Sequence, residues 1–283
     1  MLRNLAKTIA VVVGSTLLAT LAVKAVDVRD LYHTSLSGLV FSTQSFEGTC
    51  PDNMVRVTQV LNPFCIDIYE VSAGDACMYE NPKSVDESMF NLSDSKCIPV
   101  ARKDAMPWRN ITLDLAQQAC VSAGKRLPTP HEWFVAAFGT PDLHSGWSVE
   151  DCNVANNRAQ GVSVTGSGIR CLSSVGAYDM IGNVWEWVEG TVALGMYKNS
   201  ILPETGFVTE ASLDGLAYTT GPEKDANYFN DRFWVDATME TGIMRGGYFN
   251  NFDHAGLYAT YAASPVTFSG EALGFRCVTS LTK

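Results

Sequence analysis

An α+β fold, with two helices set among short strands and long loops, is predicted by three observations. Two segments repeat apolar residues at helical spacing, Leu113–Ala123 and the run that starts at Thr129. Two short segments between residues 54 and 71 alternate apolar and polar side chains. The remainder is rich in Gly, Asn and aromatic residues and has no long helical period, which leaves short strands and loops. The chain has 283 residues, 46% apolar and 18% charged, a composition that excludes a disordered chain or a polytopic membrane protein. Its net charge of −10 argues against nucleic acid as a partner, because phosphate binding needs clustered Lys and Arg.

At the N-terminus, Arg3 and Lys7 precede the apolar run Thr8–Val23, and Val23 and Ala25 suit the positions before a cleavage site. Residues 1–25 therefore read as a signal peptide or, if uncleaved, as an N-terminal anchor and the one route to a membrane. No Cys directly follows the apolar run, so a lipid anchor is not expected. Residues 26–48 read as a linker and 49–283 as one domain. All eight cysteines lie beyond the leader, an even count that suggests disulfides and a secreted, periplasmic or cell-surface protein. No Cys-x-x-Cys occurs, which disfavours zinc-ribbon and thioredoxin-like sites.

Met54–Val57 and Phe64–Val71 are expected to pair as a hairpin turning at Asn62-Pro63, with Cys50 and Cys65 placed to staple it. Cys77 and Cys97 enclose a polar loop containing Pro82 and Asn91, and their proximity suggests a second bridge. In the first helix Leu115, Ala119 and Ala123 recur on one face, Thr112 can cap the start and Gly124 the end. In the second, Thr129-Pro130-His131-Glu132 combines an N-cap Thr, Pro at the first helical position and Glu at the third, a capping box that satisfies two orphan backbone donors. Trp133, Phe134, Ala137 and Phe138 are its expected buried face, ended by Gly139.

Five segments in order resemble the formylglycine-generating enzyme, or sulfatase-modifying factor, family. They are Asp67-Ile68-Tyr69-Glu70-Val71-Ser72, the run Gly124-Lys125-Arg126-Leu127-Pro128-Thr129, the run Tyr178-Asp179-Met180-Ile181-Gly182-Asn183-Val184-Trp185-Glu186-Trp187, Arg245-Gly246-Gly247, and Gly274-Phe275-Arg276-Cys277. The resemblance implies a variant of the C-type lectin fold and a disulfide between Cys120 and Cys277. On the chain-entropy model such a closure stabilises by about 4–5 kcal/mol, less any native strain. Cys152 and Cys171 then remain to flank the loop before Tyr178. The resemblance also implies structural calcium at Asp179, Gly182, Val184 and Glu186. The physics is compatible, since calcium takes six to eight hard oxygens and a tight loop can supply carboxylates and carbonyls together. A second family calcium site would draw on Asn153–Asn157, where this chain departs from the pattern. The same residues also read as a turn before a Trp-rich strand, with Glu186 paired to an arginine.

The family's oxidases bind copper with two cysteines that follow Arg-Gly-Gly at fixed spacing, and Cu(I) needs such soft sulfur ligands. Counting on from Arg245-Gly246-Gly247, those positions hold Asn251 and Gly256. No copper is expected, and cysteine oxidation is not expected either. A different reaction, at a non-haem iron held by two histidines and a carboxylate, would require His254 and Asp253 to meet His131 or His144 from distant sequence. No nucleophile elbow or phosphate-binding Gly-rich loop occurs.

The segment Tyr248–Phe268 offers rigid aromatics with small polar groups, a good contact surface at low entropic cost. Tyr248, Phe249, Asn250, Asn251, Asp253, His254 and Tyr258 are the candidate contacts for a protein, peptide or glycan. The alternation of Leu257, Ala259 and Tyr261 equally suits a core strand. Tyr248 to Gly270 contains no Lys, Glu, Gln, Met or Trp. In that it resembles the diversified segment of retroelement variable proteins, a further ligand-binding possibility. A template repeat and a reverse transcriptase beside the gene would distinguish it.

Overall fold

Residues 48–158 and 160–281 are described by a computed structural model. The leader, and the linker apart from Gly48, lie outside the described residues. All of the described residues except Gln59–Leu61 belong to one compact unit. Its strands are β1 (Met54–Val57), β2 (Phe64–Asp67), β3 (Val71–Ser72), β4 (Val100–Ala101), β5 (Trp185–Ala193), β6 (Met196–Tyr197), β7 (Ser200–Ile201), β8 (Gly206–Ala211), β9 (Ala217–Gly221), β10 (Arg232–Val235), β11 (Glu240–Arg245), β12 (Thr260–Ala262), β13 (Leu273–Phe275) and β14 (Val278–Ser280). Its helices are α1 (Val85–Ser93), α2 (Leu113–Ser122) and α3 (Pro130–Ala137).

The expected hairpin forms: β1 and β2 pair antiparallel, and β14 adds to the free edge of β2. The second strand is shorter than alternation suggests. It stops at Asp67, whose buried carboxylate takes Lys125 Nζ at 2.5 Å and the Cys277 amide at 2.9 Å, and β3 pairs separately with β4. The large sheet runs β7-β6-β5-β11-β12-β10-β8-β9, with β13 parallel to β5. This places the Trp185–Trp187 strand against both Arg245 and the Gly274–Arg276 segment. Trp108, Trp187, Leu113, Leu127 and Phe275 are fully buried between sheet and helices.

Among the described residues three α-helices are present where two were expected. The loop enclosed by Cys77 and Cys97 contains α1, started by Ser84, whose hydroxyl accepts from the Glu87 amide. Its buried face is polar, so no apolar period announces it. Ser88 Oγ accepts from Trp108 Nε1 and donates to the Asn110 carbonyl, while Asn91 brackets Tyr79 at 2.8 and 2.9 Å. Met89 and Phe90 face outward, and Leu92 packs partly buried against the core. Helix α2 buries Leu113, Ala116, Ala119 and Cys120, a face rotated from the Leu115, Ala119 and Ala123 stripe. The capping box of α3 forms with both bonds. Phe138 ends that helix exposed instead of joining its buried face. All eight cysteines are paired: Cys50–Cys65, Cys77–Cys97, Cys120–Cys277 and Cys152–Cys171.

Candidate functional site

Two buried charge centres lie on either side of the Arg245–Gly247 turn. In the first, Arg276 and Glu186 are both buried and bonded side-on, with Arg276 Nη2 to Glu186 Oε1 at 2.5 Å and Nε to Oε2 at 2.7 Å. Trp133 Nε1 donates to Glu186 Oε2 at 2.7 Å, and the remaining guanidinium donors reach the carbonyls of Asp67 and Tyr178. Residues from β5, α3 and the start of β14 thus meet at one satisfied ion pair. Burial works against the charge on Arg276, but the Glu186 charge and hydrogen bonds outweigh it and raise the pKa above the ordinary arginine value.

This geometry tests the expected calcium set. Asp179 adopts a left-handed backbone (φ 55°), and its Oδ2 accepts the Gly166 amide at 2.6 Å. Gly182 has φ 79°, and a side chain there would run into the Asn153 carbonyl and Val154. Val184 is buried behind them. Glu186 does not fit, because both of its oxygens already hold the Arg276 cation and the Trp133 donor. A metal ion at that carboxylate would face the guanidinium at close range. Around the same pair, burial raises the Asp179 carboxyl to about 6 and raises Glu70 well above the ordinary carboxylate range. In the Asn153–Asn157 loop the Asn157 side chain closes the turn on itself, accepting the Val154 and Ala155 amides and donating to the Ser148 and Cys152 carbonyls.

The second centre lies at Gly256, with Asn251 in the turn before it. Asn251 serves a turn: its Oδ1 accepts the Tyr248 amide at 3.0 Å. At Gly256, a Cβ would fall inside van der Waals contact of Asp231 Oδ1 and Asp142 Oδ2. Asp231 is fully buried and Asp142 lies at the rim with its carboxylate turned inward. Asp142 Oδ2 accepts the Leu257 amide at 2.9 Å, and Asp231 Oδ2 accepts the Tyr258 amide at 2.6 Å. The Oδ1 atom of each is buried and has no hydrogen bond of good geometry among the described residues, although the Ala259 amide lies close enough to Asp231 to lower its pKa. Burial raises the Asp142 carboxyl to about 7. It raises Asp231 well above the carboxylate range, with the Asp142 charge adding to the effect. Arg245 lies nearby but spends its terminal nitrogens on the carbonyls of Asp214, Gly215 and Leu257. Burial lowers its pKa to about 9. Neither aspartate stood out in the sequence, since they occupy different loops with no spacing to connect them.

The candidate contact residues are divided between neighbourhoods. Tyr248 packs against the core and edge-on to Phe249, and Asn250 accepts from Asn156 at 2.6 Å. Asp253 pairs with Lys224. His254 packs edge-on to Phe207 and Trp234, and burial lowers its pKa. Tyr258 joins a separate cluster with Phe134, Tyr228 and Phe229. Asp253 lines an open cleft of about 700 Å³ together with Phe252, His144, Trp147 and Asn157. The histidines do not converge: His131 bonds the Leu213 carbonyl and His144 bonds Asn230. Among the described residues, no three His, Cys, Asp or Glu side chains are arranged to hold a metal.

Residues 36–281 match the family model described as "Sulfatase-modifying factor enzyme 1-like domain". The match begins inside the segment read as linker. No curated protein sequence matches the chain. Solved structures similar to it include the Major Tropism Determinant I1 variant, at 17% identity and TM-score 0.43, covering 83% of this chain and 54% of that one. PvdO from Pseudomonas aeruginosa is similar at 14% identity and TM-score 0.40, covering 82% and 100%. Treponema denticola variable protein 1 is similar at 13% identity and TM-score 0.40, with the same coverages. The chain spans about half the length of the Major Tropism Determinant variants.

Proposed function

The chain belongs to the sulfatase-modifying factor enzyme 1-like family, and on that premise we propose that it is a binding or structural module that does not oxidise cysteine. Its fold is the family's α+β, C-type lectin-like architecture. One observation carries the proposal: the backbone at Gly256 has two carboxylates where a catalytic thiol would project. A cysteine there would have to displace Asp231, a fully buried group held by the Tyr258 amide. Asn251, at the other position, closes a turn and offers no soft ligand for copper.

Four disulfides suit an oxidising environment, and among the described residues no helix is long and apolar enough to cross a membrane. We infer that the module works outside the cytoplasm, secreted, periplasmic or at the cell surface. A peptide, protein or glycan would be met at the open cleft beside Trp147, Phe252 and Asp253, where apolar faces and hydrogen-bonding groups share one surface. No step is assigned to calcium at the Asp179–Glu186 loop, because Arg276 occupies the Glu186 carboxylate.

The test is direct. The purified protein is incubated with copper, oxygen and a cysteine-containing peptide, and the peptide is weighed by mass spectrometry. The expected result is unchanged peptide and no stoichiometric copper on the protein. An aldehyde product would overturn the proposal.

A further inference from the structure

The two aspartates at Gly256 are arranged in parallel. Each uses its Oδ2 to accept a backbone amide, Leu257 for Asp142 and Tyr258 for Asp231, and each leaves a buried Oδ1 with no hydrogen bond of good geometry among the described residues. Amide bonds fix the orientation of both carboxylates and stabilise them as anions. The two groups converge on the Cα of Gly256, where only the missing side chain leaves room for them. Two buried anions so close together need a countercharge. Arg245 offsets it only in part: its charge acts on Asp231, but its terminal nitrogens bond the carbonyls of Asp214, Gly215 and Leu257 and neither carboxylate.

We propose that Asp142 and Asp231 together bind a hard divalent cation of the calcium or magnesium class. A divalent ion is drawn to both carboxylates at Gly256, where Asp231 Oδ1 and Asp142 Oδ2 converge, whereas a single shared proton neutralises only one charge. The donors are all oxygen, and neither thiol nor imidazole belongs to the pair, which selects hard cations over copper or zinc. The ion ties together the segment after α3, the turn before β10 and the Ala255–Tyr258 backbone, and so braces the loop that carries Phe252 and Asp253. The site is independent of whether that loop binds a macromolecule.

The test uses the purified full chain, stripped with EDTA and titrated with calcium and separately with magnesium by calorimetry. The expected result is a single bound equivalent that is lost in Asp142→Asn and in Asp231→Asn but kept in Asp179→Asn, which removes the acid of the Gly182 loop. Circular dichroism reports whether each variant is folded. If Asp231→Asn does not fold, Asp142→Asn, at the rim, decides the question. The proposal is overturned if the wild type binds neither ion or if both aspartate variants bind as the wild type does. It is also overturned if only Asp179→Asn abolishes binding.

Discussion

The two charge centres flanking Arg245–Gly247 are built from similar parts with opposite balance. At Glu186–Arg276 a carboxylate bonds a guanidinium directly, Trp133 and two backbone carbonyls take up further bonding capacity, and the Arg276 charge also acts on Glu70 and Asp179. At Asp142–Asp231 two buried acids accept hydrogen bonds from backbone amides, and the nearby Arg245 bonds neither of them. Both centres are buried, and both are assembled by residues far apart in sequence. The difference teaches that burial alone does not mark a site. A satisfied buried pair is scaffold, while an unbalanced pair implies that something else takes part.

Glu186→Gln should break the first centre most severely. It removes the carboxylate bonded to the buried Arg276 guanidinium, a change that costs about 3–5 kcal/mol, read as a fall in the denaturant midpoint. Gly256→Ala strikes the second centre sterically. The added methyl must displace Asp231, and overpacking of this kind costs about 1–3 kcal/mol in the same assay. A smaller expected effect is on pH dependence in the chelated protein. Asp142 titrates near 7 when folded and near its ordinary value of 3.8 when unfolded. The folded state therefore binds more protons across that window, so stability falls as pH rises through it, by at most ~1.4 kcal/mol per pH unit for one group. Asp142→Asn should flatten that slope. A slope unchanged by the substitution would remove the aspartate pair from the explanation.

The sequence disclosed parts of this arrangement unevenly. The capping box of α3 was legible because its four residues are contiguous and each has one role. Cys50–Cys65 and Cys77–Cys97 were suggested by proximity alone, whereas Cys120–Cys277 came only through the family resemblance. Helix α1 was missed because Ser88 and Asn91 form its buried face, and hydrogen bonds leave no hydrophobic period. The loss of thiols at Asn251 and Gly256 was visible in the sequence. What fills the space at Gly256 was not, since Asp142 and Asp231 are single acids in loops that only the fold brings together. The contact residues illustrate the same limit. His254 and Tyr258 are close in sequence yet pack into different aromatic clusters, and Ala255, Gly256, Leu257 and Ala259 between and beyond them are framework.

The central claim, that the aspartate pair is unbalanced without a cation, is tested most directly by the unfolding midpoint of Asp231→Asn in chelator above about pH 8, where Asp142 is ionised. The asparagine keeps an acceptor for the Tyr258 amide and gains an NH₂ group that can donate to Asp142. The account predicts that the metal-free variant is more stable than the metal-free wild type, by about 1–2 kcal/mol, as a repulsive contact becomes a hydrogen bond. A loss of stability as large as that of Glu186→Gln would contradict it, because Asp231 would then be as well compensated as Glu186.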